Sequence, residues 1–210
     1  MGRTKPALQK PRLVVDVCLA VWACHTHGDT VLDATYRPWE IADLCLGILC
    51  RLRGKGYNLA MSKNLRGEWE DQLRHQGDRT AIEYACRQYA RDWYMSLETR
   101  GRIARIDVAG YQLMGNHLTK AQRKDAHLVE SALAADYRIL SRDTAVRREW
   151  ETTCQMVPNP VVMSEQPSIR RIFWGDPAIH GDRLLEWLDQ GAPRDDSLLL
   201  TCHGRAGTTQ

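Results

Sequence analysis

Phenylalanine occurs once in these 210 residues, against seven tryptophans. Aromatic packing must come largely from indoles, and Trp39, Trp69, Trp93 and Trp150 fall in helical patterns where burial in a core is the ordinary explanation. Long apolar runs are also lacking. The longest, VCLAVWAC at residues 17–24, falls short of the roughly 20 residues that span a bilayer. The N-terminus places basic residues ahead of this run, as a signal peptide does, but Asp16 would interrupt it and CHTH is a poor cleavage context. Myristoylation fails on Pro6, where the signal needs Ser or Thr. The expectation is a cytoplasmic protein without membrane association.

No CxxC occurs among the seven cysteines, Cys18, Cys24, Cys45, Cys50, Cys86, Cys154 and Cys202. Their odd number and apolar contexts point to buried thiols in a reducing compartment. Zinc is suggested by Cys18, Cys24, His25 and His27, but a structural site needs a second ligand pair, and the only distant one is Cys202 with His203. Strong charge is missing too: a net +3 is far below that of a nucleic-acid coating protein. There is no Walker A sequence, which argues against an NTPase, and no DxDx[TV] after the first strand, which argues against a phosphohydrolase with an aspartate nucleophile.

What the chain does contain is alternation. LVVDVCLAV reads as a buried central strand, Pro38 to about Arg53 as a helix, YNLAMS as a short strand, and the segment capped by Ser62 as a helix ending before Gly77. Helices are expected over about residues 79–97 and 120–135, the latter capped by Thr119, then a strand at RILS, a helix from Asp143 to about Thr153, and a last strand at VPNPVVMS. This order predicts an α/β fold with a mainly parallel sheet. Residues 1–11 read as a basic lead-in, 12–166 as the domain, and 167–210 as a partly mobile C-terminal extension, with a short helix at DRLLEWLDQG and Trp174 docking it.

Four acids fall at expected element ends: Asp16, Glu68, Asp125 and Asp143. Strand C-termini and helix N-termini meet at one rim of such a sheet. Acids gathered there repel one another, and divalent cations that prefer carboxylate oxygen relieve the repulsion. Singly, each has a plainer reading: Asp16 as a strand-end cap, Glu68 as a solvated helix acid, Asp125 as a partner of Lys124 or Arg123, Asp143 as an N-cap. Glu70, Asp71 and Glu130 compete for the helical roles.

Asp16 after LVV, Ser62 followed by Glu68, DAHLVESAL and ILSRD together resemble the PIN-domain nucleases, a group that includes toxin-type endoribonucleases of toxin–antitoxin pairs. The resemblance covers about residues 12–165. It implies a three-layer α/β/α sandwich, an acidic site of Asp16, Glu68, Asp125 and Asp143 with Ser141 beside the last, one or two Mg²⁺ or Mn²⁺ ions, and RNA phosphodiester hydrolysis. It further implies an antitoxin or inhibitor protein as partner and homodimerisation. One departure stands at the first motif, where Val17 and Cys18 replace the usual hydroxyl and amide residues; another is Arg147 and Arg148 in place of further acids. Lying a turn beyond Asp143, these arginines are candidate phosphate contacts. His127, rotated about 200° from Asp125 around a helix, is expected to be a packed or surface residue. The alternative function is a catalytically silent PIN-like scaffold or protein-binding module, which retention of all four carboxylates disfavours.

Overall fold

A computed structural model describes residues 10–24, 38–74, 81–111, 113, 118–156 and 169–200. Five short strands form one all-parallel sheet, in the order β3-β2-β1-β4-β5: β1 Arg12–Val15, β2 Asn58–Met61, β3 Ile103–Arg105, β4 Arg138–Leu140 and β5 Phe173–Gly175. Helices flank the sheet, so the class is α/β and the arrangement matches an α/β/α sandwich. The central strand carries Leu13, Val14 and Val15, all fully buried. A strand covered on both faces can afford no alternation, which is why this stretch reads as continuously apolar.

The run LVVDVCLAV is not one strand. The strand ends at Val15, and Val17–Trp22 forms helix α1 with Asp16 as its N-cap. The Asp16 carboxylate accepts the Cys18 N–H at 3.0 Å, and that cap, with burial of Leu19 and Ala20, outweighs the β propensity of Val17 and Val21. The edge strand β3 is only three residues long and partly exposed, too short for its pattern to stand out in the sequence.

The helices expected between the strands are present: α2 Pro38–Gly54, α3 Lys63–Arg74, α4 Ala81–Thr99, α5 Lys120–Ala134 and α6 Thr144–Met156. Helix α5 begins with a reciprocal capping box between Thr119 and Gln122. Ser62 caps α3 through the Leu65 N–H. The scarcity of phenylalanine is met as the sequence suggests. Trp69 of α3 stacks on Trp93 and Tyr94 of α4 at 5.7 and 5.4 Å, while its indole N–H donates to the carbonyl of Val15 at 2.9 Å. Trp93 likewise donates to Leu49, so these indoles tie helices to the sheet and to α2 while burying area worth roughly 1.5–3 kcal/mol each. The side chain of Trp39 lies outside the described residues.

Residues from 167 onward are not all an appendage to the domain. Phe173–Gly175 supplies the fifth strand, pairing with β4, and Trp174 is fully buried. Gly175 permits this, since a Cβ there would sit 2.7 Å from Leu140 Cδ2 and 2.9 Å from Leu184 Cδ2. A turn of helix, α7 Pro177–His180, leads to α8 Arg183–Asp189, whose Leu185 approaches Gly47 of α2. The boundary expected at 166/167 therefore does not separate a tail from the core at residues 169–200. VPNPVVMS lies outside the described residues, as do His25, His27, Cys202 and His203. Among the described residues, no helix is long and apolar enough to cross a membrane.

Candidate functional site

The sheet order places its topological switch between β1 and β4: the chain runs outward through β2 and β3, then returns to the other side of β1. Crevices outside the strand C-termini at such a switch are where open α/β sheets bind ligands. Asp16 and the Ser141–Asp143 turn stand there, joined by the Asp16 N–H donating to Leu140 O at 2.9 Å.

Asp16 is 6% exposed and its carboxylate is held at both oxygens. Cys18 N–H donates to Oδ1, and the Ser141 hydroxyl donates to Oδ2 at 2.6 Å. Ser141 Oγ in turn accepts from Asp143 N–H at 3.0 Å. Burial pushes the Asp16 carboxyl above its ordinary value; these hydrogen bonds pull against the shift, and the charge of Glu68 adds to it. The residues that depart from the PIN pattern do contribute here. Cys18 supplies the backbone donor, and its Sγ accepts the Arg142 N–H at 3.3 Å and sits 3.6 Å from Ser141 Oγ. Burial drives the Cys18 thiol pKa well up, so it acts as a neutral polar spacer.

Glu68 projects from the middle of α3. Its competitors are committed elsewhere: Glu70 to Arg66 and Arg74 on its own helix, Glu130 to the Leu113 N–H. Asp71 is exposed. Glu68 Oε2 lies 2.7 Å from His127 Nε2 of α5, a contact the sequence reading passed over by setting His127 apart from the acids. Burial works to lower the imidazole pKa, and the Glu68 carboxylate, helped by the Lys124 carbonyl and Asp125, more than reverses it, leaving His127 above its ordinary value. Asp125, half-buried on the same helix, has its carboxyl raised first by burial; Lys124 and His127 oppose this, while Asp16 and Glu68 reinforce it. Three elements thus bring Asp16, Glu68 and Asp125 into mutual repulsion.

Asp143 does the work of an N-cap, its Oδ1 accepting the Val146 N–H at the start of α6. Arg147 is not placed for substrate. It is 2% exposed, and its guanidinium bonds the carbonyl of Trp174 at 3.0 Å, Glu151 at 2.8 Å and His180 Nε2 at 2.9 Å. The helical turn that directs Arg148 outward points its neighbour under β5. Burial and Arg147 push His180 down to about 4, so a neutral ring accepts the guanidinium N–H. Asp176, at the C-terminal end of β5 on the same rim, was not singled out from the sequence. It is fully buried, caps α7 through Ala178 N–H and accepts from Thr144 Oγ1 at 2.7 Å. The signal was there in GDP, an acid before a proline that opens a helix.

Among the described residues, no group of three His, Cys, Asp or Glu side chains is placed to hold a metal ion. The donors at the rim, carboxylates with a hydroxyl behind them, nevertheless suit a hard divalent cation, and their mutual repulsion is what such an ion relieves. Comparison with protein-family models, with curated proteins and with solved structures returns no match to this chain.

Proposed function

We propose that this chain is a Mg²⁺- or Mn²⁺-dependent endoribonuclease of PIN type, acting in a reducing, cytoplasmic compartment as a toxin or RNA-processing enzyme. What supports the reading is the place of Asp16 at the switch point of a sheet ordered 3-2-1-4-5, where the charge of Glu68 bears on Asp16 and the charges of both bear on Asp125. In this reading Asp16, Glu68 and Asp125 hold the ion, and Asp143 contributes from the turn it caps. A bound divalent ion supplies charge neutralisation at phosphorus and a more acidic water. Ser141 and the Cys18 N–H fix the Asp16 carboxylate so that it cannot swing away from a cation. Glu68 completes the ligand set or orients the attacking water, with His127 fixing its rotamer. Arg148, exposed beyond Asp143, contacts flanking phosphate. RNA is the substrate, with an antitoxin or inhibitor protein and a second copy of the chain as partners.

The second reading, a silent PIN-like binding module, draws on the His127–Glu68 pair, in which a histidine of the chain itself already partners one of the acids. Labelled single-stranded RNA and DNA incubated with the protein and Mn²⁺ or Mg²⁺ separate the two. The nuclease reading expects RNA cleavage that EDTA stops and that Asp16→Asn abolishes while the variant remains folded. Absence of cleavage by the folded wild-type protein with either ion favours the silent module.

A further inference from the structure

At the opposite rim, where β4 and β5 begin, a cleft of about 250 Å³ opens between Tyr137, Arg138, Arg171, Phe173, Arg194 and Leu199. Three arginines line it from three separate segments: Arg138 at the start of β4, Arg171 in the 3₁₀ turn Ile169–Arg171, and Arg194 after α8. Arg138 is fixed in place. Its Nε donates to Ala192 O at 2.8 Å, its Nη1 to Asp136 O at 2.5 Å, and it lies over the Phe173 ring at 5.4 Å. Two carboxylates border the cleft, Asp136 and Asp196, but Asp136 is already paired with Arg12 at 3.2 Å. Neither Arg171 nor Arg194 forms an ion pair with any described residue, and both are exposed.

We propose that this cleft binds a phosphate group, carried by a small phosphate ester or by the end of an oligonucleotide. Three guanidiniums against one uncompensated carboxylate leave a formal charge near +2, which matches a phosphate monoester dianion better than a single carboxylate. The cleft is smaller than the roughly 300–1,000 Å³ of drug-sized ligand sites, and so fits a phosphate with the first atoms of its ester. Two features mark the position as costly to maintain without a ligand. Burial lowers the Arg138 guanidinium pKa; Asp136 offsets part of this, and the like charge of Arg194 adds to it. Tyr137, which lines the cleft, holds φ 60°, a left-handed conformation that is costly for a bulky residue. The inference is independent of the acidic rim, because β4 and β5 lie between the two.

The test is titration of the full chain with inorganic phosphate, AMP, and a short single-stranded RNA with or without a 5′-phosphate, followed by amide chemical shifts in the absence of divalent metal. The expected result is saturable binding of at least one phosphate probe that shifts Tyr137, Phe173 and Leu199. Arg171→Ala together with Arg194→Ala, both exposed, should weaken it at least ~10-fold with the melting temperature unchanged. AMP or phosphate binding identifies a small ester; binding only of the 5′-phosphorylated RNA identifies a strand end. Shifts absent from these residues with every probe, or affinity unchanged in the double variant, overturn the proposal.

Discussion

Ser141 Oγ and Asp16 Oδ2, 125 positions apart in sequence, stand 2.6 Å apart across the junction of β1 and β4. The hydroxyl stabilises an ionised carboxylate that burial otherwise disfavours. Ser141→Ala should destabilise the protein by about 1–3 kcal/mol at neutral pH, because it strands a buried charge. Urea unfolding checks this, and the loss should shrink as pH falls and Asp16 takes up its proton.

Asp16→Asn should behave oppositely. The folded-state pKa of Asp16 lies above its ordinary 3.8, so the native state binds this proton more tightly than the unfolded chain. Wild-type stability contributed by the group is therefore present at low pH and falls as pH rises from 3.8 through the raised folded value. The amide variant escapes that fall. Thermal melts should show it at least as stable as wild type at pH 7, with the difference closing toward pH 4; a variant clearly less stable at pH 7 would count against a charge held under strain.

His127 and Glu68 give the reverse dependence. His127 is raised above 6.5, so its pairing with Glu68 stabilises fully below pH 6.5 and is lost as pH rises through the folded value. An NMR titration of His127 should give a pKa above 6.5 in the wild type. In Glu68→Gln burial should dominate and the value should drop, with Asp125 the remaining acid facing the ring.

Adjacent arginines on α6 should separate cleanly. Arg147→Ala leaves the Trp174 carbonyl, Glu151 and neutral His180 without their donor and should cost about 2–4 kcal/mol, with Arg147→Lys recovering little. Arg148→Ala should leave the melt within about 0.5 kcal/mol of wild type. Under the proposed nuclease function its effect should appear in RNA affinity, lowering the slope of log affinity against log salt by about one.

Much of this frame was legible from residues alone. Helical stripes, the Thr119 cap and the apolar strands at YNLAMS and RILS led to an α/β fold, since period and length were unambiguous there. The place of Asp16 at the end of the first strand is legible, but its role as the cap of α1 is hidden in a β-branched run whose local preference the cap overrides. β5 was hidden for a different reason. FWG has no β-branched residue and no alternation, and it becomes a strand by pairing with β4, which Gly175 permits beneath Leu140 and Leu184. The Glu68–His127 contact joins two helices 59 positions apart, and helical spacing carries no information about such a pair. Arg147 and Arg148 were indistinguishable by position; burial distinguishes them.

The fit at Gly175 is testable by itself. Gly175→Ala forces Leu140 or Leu184 to move and should cost about 1–3 kcal/mol, read as a lower urea midpoint.

In the proposed function Asp16, Glu68 and Asp125 act as one cation-binding unit. Manganese titration followed by electron paramagnetic resonance on the folded protein addresses it most directly. Saturable Mn²⁺ binding is expected, weakened at least ~10-fold by Asp16→Asn and by Asp125→Asn and unaffected by Glu70→Gln. Mn²⁺ affinity unchanged in both aspartate variants, or no binding by the wild-type chain, would contradict it.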